Sequence, residues 1–144
     1  MTEETGRLIL SILVIVLLLL FSSYIIKIFR TNTQIEQANA TLTGISDAAK
    51  KLSVGQTDTY LIESPKGWTL ATFPGNSRKL CLCNTPNIND FIKDCDKKYL
   101  TCLEFSSLIE ISSLGSKIIL ESVPKAINLR RKDSGLTILE IGIK

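Results

Sequence analysis

From Leu8 to Ile26 the chain carries no charged side chain, and no other stretch constrains its fold as strongly. A helix rises about 1.5 Å per residue, so this run would span roughly 29 Å, the hydrocarbon thickness of a bilayer. A polar tail, Met1 to Arg7, precedes it, and Lys27 and Arg30 follow. A cleaved signal peptide is the competing reading, but its apolar region runs only about 7–15 residues before a small-residue cleavage site. Here the run is longer, and the only A-x-A match, Ala38-Asn39-Ala40, lies beyond Lys27 and Arg30. The expectation is an uncleaved transmembrane signal anchor over 8–29 after a tail over 1–7. Tyr24, Lys27 and Arg30 would be its interface anchors, one aromatic and two snorkelling. The lipid bilayer is therefore the first expected partner.

Without that anchor, fewer than about 120 residues remain, enough for one modest core. The chain has no histidine. Ser-His-Asp and Cys-His catalysis, HExxH metalloproteases, histidine pH switches and histidine-ligated metals are all excluded.

Orientation rests on two signals. Positive-inside counting sets Arg7 and the terminal amine against Lys27 and Arg30, which decides nothing. Cys81, Cys83, Cys95 and Cys102 are an even set within one short stretch, as disulfides are in a small exported domain. That favours an extracytoplasmic C-terminal domain.

From Thr31 to Val54 the composition shifts to Thr, Asn, Gln, Ala and Ser. Ile35, Ala38, Leu42, Ile45, Ala49 and Leu52 are spaced 3, 4, 3, 4 and 3 apart, a seam along one helical face. The membrane helix is expected to continue as an amphipathic stalk over 30–56, weakened near Gly44. The seam either self-associates as a coiled coil or packs on the chain's own C-terminal domain. Fewer than three heptads, with Ala at two of six seam positions, favour the second. Asn39-Ala40-Thr41 also matches an N-glycosylation sequon, a match expected about once by chance among this chain's asparagines.

Beyond Gln56 the helical period fades. The β-rich runs are Thr59–Glu63, Trp68–Phe73, Lys79–Cys83, Tyr99–Phe105, Leu108–Ser112, Lys117–Ser122, Ala126–Arg131 and Leu136–Ile143, punctuated by Pro65-Lys66-Gly67, Pro74-Gly75-Asn76 and Lys132-Asp133-Ser134-Gly135. A short helical turn is expected over Asn89–Asp94. The fold class expected is α+β: the long helix, then over 57–144 a small antiparallel β-sandwich or open barrel of about eight short strands. Lys117–Glu121 alternates cleanly, with Ile118 and Leu120 inward. Leu136–Ile143 does not, and needs a bulge or burial on both faces. Trp68, Phe73 and Tyr60 are read as core.

Cys81 and Cys83, two apart on a strand, share a face and can both reach partners across the sheet. Two pairings are open: Cys81–Cys102 with Cys83–Cys95, or Cys81–Cys95 with Cys83–Cys102. Each bond would be worth on the order of 3 kcal/mol. The rival is a four-cysteine zinc site in a cytoplasm-facing domain, for which C-x-C is a poorer chelate than C-x2–4-C. Redox chemistry lacks a CxxC. The oxygen-rich stretch Asn87–Asp96 fits no EF-hand loop and reads as a solvated loop. Arg130-Arg131-Lys132 could touch phosphate or anionic headgroups, though beside a turn its charges read as simply exposed. A net charge of +3 without interleaved aromatics gives no case for nucleic acid. No nucleotide-binding or hydrolase motif is present, so neither a cofactor nor an enzyme is expected; Ser-Lys catalysis has no nominated pair.

The order of tail (Met1–Arg7), apolar helix (Leu8–Ile26), seam (Ile35–Leu52) and β domain resembles type IV pilin-like and archaellum-accessory subunits. Pilins are processed after a Gly and carry Glu at the fifth mature position; here Gly6 is followed, five residues on, by Ser11. The resemblance therefore implies a membrane-anchored accessory of a cell-surface apparatus, with a protein partner or self-association in the envelope. Trp68-Thr-Leu-Ala-Thr-Phe-Pro-Gly75 with Cys81-Leu-Cys83 is also similar to small anchored archaeal proteins.

Overall fold

The computed structural model describes residues 2–85, 95, 99–113 and 116–141. The expected turn at Asn89–Asp94, the body of the oxygen-rich stretch and the end of the last expected strand lie outside them. Helix α1 runs unbroken from Thr2 to Lys51, with Glu3 and Glu4 in its first turn and Lys50 and Lys51 in its last. Both placements complement the helix dipole. The chain divides into two compact units, 1–33 and 34–144.

In the first unit the large apolar side chains from Leu8 to Phe29 are all exposed. The helix is long and apolar enough to cross a membrane. The hydroxyls of Ser11 and Ser23 donate to the carbonyls of Arg7 and Leu19, at 2.9 and 2.8 Å. Polar groups satisfied within the helix are tolerated in hydrocarbon. Together these features fit a single-pass membrane anchor.

The second unit joins residues 34–51 of α1 to eight strands. These are β1 (Thr57–Ile62), β2 (Thr69–Phe73), β3 (Asn76–Cys83), β4 (Leu100–Glu104), β5 (Leu108–Ser112), β6 (Lys117–Ile119), β7 (Lys125–Lys132) and β8 (Gly135–Glu140). They form two four-stranded sheets, ordered β1-β7-β8-β5 and β4-β3-β2-β6. Each expected β-rich run overlaps one of these strands, with ends that differ by up to three residues.

The fully antiparallel expectation fails at one pair, because β5 runs parallel to β8. Parallel neighbours need a long crossover, and here β6 and β7 lie within that connection. Gly135 opens β8 where β5 comes close: a Cβ built there would lie 3.0 Å from the Leu108 carbonyl carbon and 3.2 Å from its Cβ.

One core draws on all three components. Leu70, Leu80, Leu82 and Ile118 come from one sheet, Ile62, Ile127, Leu129 and Ile138 from the other, and Ala38, Leu42, Ile45 and Ala49 from α1. Leu42 and Ile45, 1% and 0% exposed, each contribute about 1.5–3 kcal/mol relative to exposure. Ile35 and Leu52 are half-buried against the same cluster. The seam is thus occupied within the chain's own domain. Trp68 is fully buried, Tyr60 packs on this core, and Phe73 packs on the cysteine cluster. Leu136, Thr137 and Ile138 are all buried, which answers the irregular pattern of the last strand.

Candidate functional site

The cysteines lie on the face of the β2–β3–β4 sheet opposite the core. Cys81 and Cys102 face each other across the β3–β4 register, 4.1 Å apart at Cα, and are disulfide-bonded. Cys83 bonds Cys95, 5.9 Å apart at Cα. This is one of the two pairings left open by the spacing. With every sulfur bonded, no thiolate is left to ligate zinc, so the four-cysteine metal alternative is set aside. Ala71 completes their buried cluster, with Phe73 and Leu100 packed against it.

The C-terminal third of α1 is clasped by polar contacts as well as by its seam. Thr41 Oγ1 donates to the Ser64 carbonyl at 2.6 Å. Thr101 Oγ1 donates to Asn39 Oδ1. Arg131 Nη1 donates to the Ala49 carbonyl at 3.4 Å. That last contact corrects the reading of the basic run as simply exposed. Ile127 and Leu129 are buried, so two-residue alternation along β7 turns Arg131 to the same inner side. There its guanidinium caps a carbonyl at the negative end of the helix. Lys132 pairs with Glu110 at 3.5 Å, while Arg130 stays exposed. The alternation of β7 was the signal that could have placed Arg131.

Beside Arg131 opens a cleft of about 340 Å³, between the end of α1 and the connection from β4 to β5. Helix residues Ser46, Asp47 and Lys50 form one wall; Leu103, Glu104 and Phe105 form the other. Asp47 and Lys50 approach to 3.6 Å, both largely exposed. Such an exposed pair is worth little to stability. Ser46 is only 7% exposed. The spacing of the seam showed where α1 would be buried, but not that a polar residue on its flank would line a cleft.

The remaining expected site residues, Tyr24, Lys27 and Arg30, are exposed on the first unit's helix. At the sheet margins, β1 exposes Leu61 and β5 exposes Leu108, 49% and 50% exposed respectively. Comparison with family models, curated proteins and solved structures finds no match to this chain.

Proposed function

We propose that this is a non-enzymatic, single-pass membrane protein that displays a disulfide-closed β-sandwich outside the cytoplasm. The domain binds a protein partner or surface polymer as a structural or accessory subunit of a cell-surface, pilus-like assembly. One observation supports this most: α1 carries the apolar membrane segment and also supplies four buried residues to the core of the disulfide-bonded domain. Disulfides of this kind belong to oxidising compartments, which supports the outward orientation.

The margins of the sheets are the natural contact surface. A terminal strand leaves backbone donors and acceptors available for another chain, and β1 and β5 add an exposed leucine each. Site-specific photo-crosslinking in cells, with the reactive group at position 61 or 108, tests this reading. Discrete adducts at one of these positions, absent when the group sits at exposed Lys66, are expected. Identical patterns at all three would count against an edge-based partner.

A further inference from the structure

We infer that Asn39 is the attachment point of an N-linked glycan, the sugar carried on its Nδ2 along the docked part of α1. The inference rests on the outward orientation proposed above and adds a covalent modification to the display role.

Asn39-Ala40-Thr41 matches the Asn-x-Ser/Thr acceptor pattern, which marks the surface of exported proteins. Asn32, Asn76, Asn84, Asn87, Asn89 and Asn128 all lack a serine or threonine two residues on, so the pattern singles out one residue. A match of this kind arises by chance, and position and chemistry must support it. Asn39 is exposed, and so are Glu36, Ala40 and Thr43 around it on the helix. Residues three and four apart share a helical face, so this flank has room for a bulky group. Ala38 and Leu42 are buried in the core.

The side chain uses only half of its hydrogen-bonding capacity for the fold. Thr101 Oγ1 donates to Asn39 Oδ1, while Nδ2 has no partner among the described residues. A carboxamide accepts through oxygen and donates two hydrogens from nitrogen. Glycosylation consumes one of those hydrogens and leaves the carbonyl as it was. The clasp between α1 and β4 therefore survives the modification.

The donor class is a lipid-linked oligosaccharide, its first sugar joined through C1 to a phosphate. Nδ2 bonds to C1 as the bond from C1 to the phosphate oxygen breaks. The lipid phosphate leaves with that electron pair, and the nitrogen gives up one proton; nothing is oxidised or reduced. Thr41 sets the order of events. It is 7% exposed, and its hydroxyl donates to the Ser64 carbonyl at 2.6 Å. A transferase that reads this threonine must do so before the seam docks on the sheets. Asn39 then stays outside the core, and the sugar with it.

The test uses the full chain, purified in detergent from its native cells. Trypsin, which cuts after Arg30 and Lys50, leaves the sequon in the peptide Thr31–Lys50. Mass spectrometry is expected to find this peptide heavier by one or more sugar units. The excess should vanish in Asn39→Asp, which keeps an acceptor for Thr101, and in Thr41→Val. It should persist in Thr41→Ser, which keeps the sequon. An unmodified peptide, or an excess that survives Asn39→Asp, would overturn the inference. Thiol labelling of the same preparation separates this failure from that of the outward orientation. An unmodified peptide with paired cysteines removes the glycan alone; with free cysteines it removes the orientation as well.

Discussion

Tyr60 lies over Gly44. A Cβ built on the glycine would fall inside contact distance of the phenol oxygen and 3.0 Å from Cζ. By propensity alone Gly44 weakens the helix, yet α1 passes through it unbroken. The missing side chain is what lets β1 lay an aromatic ring against the helix.

Gly44→Ala should therefore destabilise the domain, although alanine is the better helix former by about 0.8–1 kcal/mol. Overpacking costs about 1–3 kcal/mol and outweighs that gain. Adding Tyr60→Phe removes the closest atom and should restore about half of the loss or more. A thermal-melting cycle over the four proteins checks this. A more stable Gly44→Ala protein would contradict the packing.

Tyr60 also gives the domain an alkaline limit. Burial first, then the carboxylates of Glu63 and Asp47, raise its pKa above the ordinary 10.0. The folded state therefore holds the phenol proton more tightly than the unfolded chain does. That contribution is complete below pH 10 and is lost as pH rises from there through the folded pKa. Stability measured across this window should decline, and less steeply in Tyr60→Phe.

Removing either disulfide by paired Cys→Ala substitution should cost about 3 kcal/mol, since the loops they close, 21 and 12 residues apart in sequence, differ little in closure entropy. Removing both should leave a domain that no longer unfolds cooperatively. Urea titrations of the three variants check this. Loss of both at no cost would show that the hydrophobic core alone suffices.

Ile45 tests the helix as a core element. It is fully buried, so Ile45→Ala should lose about 2–5 kcal/mol. Substituting Ala40, on the exposed side of the same helix, with Gln should cost well under 1 kcal/mol. Equal effects at the two sites would mean that the seam is not buried in the domain.

Much of this fold was legible from local patterning. Helical spacing identified Ala38, Leu42, Ile45 and Ala49, and turn residues separated the eight strands. The shared face of Cys81 and Cys83 narrowed the disulfides to two pairings. What local patterning does not carry is pairing across the chain. The β5–β8 parallel contact and the choice of Cys102 for Cys81 depend on which strands become neighbours in space. Arg131 and Ser46 were missed for the same reason. Arg131 lies in a basic run that reads as exposed and Ser46 on the flank of the seam, and only the meeting of α1, β7 and the β4–β5 connection brings them together. Gly44 was noticed, but its purpose lay in Tyr60, sixteen residues away.

A membrane-anchored domain that stands outside the cytoplasm would keep its four cysteines paired. Thiol trapping in intact cells, with a mass-tagged alkylator applied before and after reduction, addresses it most directly. Cys81, Cys83, Cys95 and Cys102 are expected to resist labelling under denaturing conditions until a reductant is added, and then to take four tags. Four free thiols without reductant would place the domain in a reducing compartment and contradict the outward orientation.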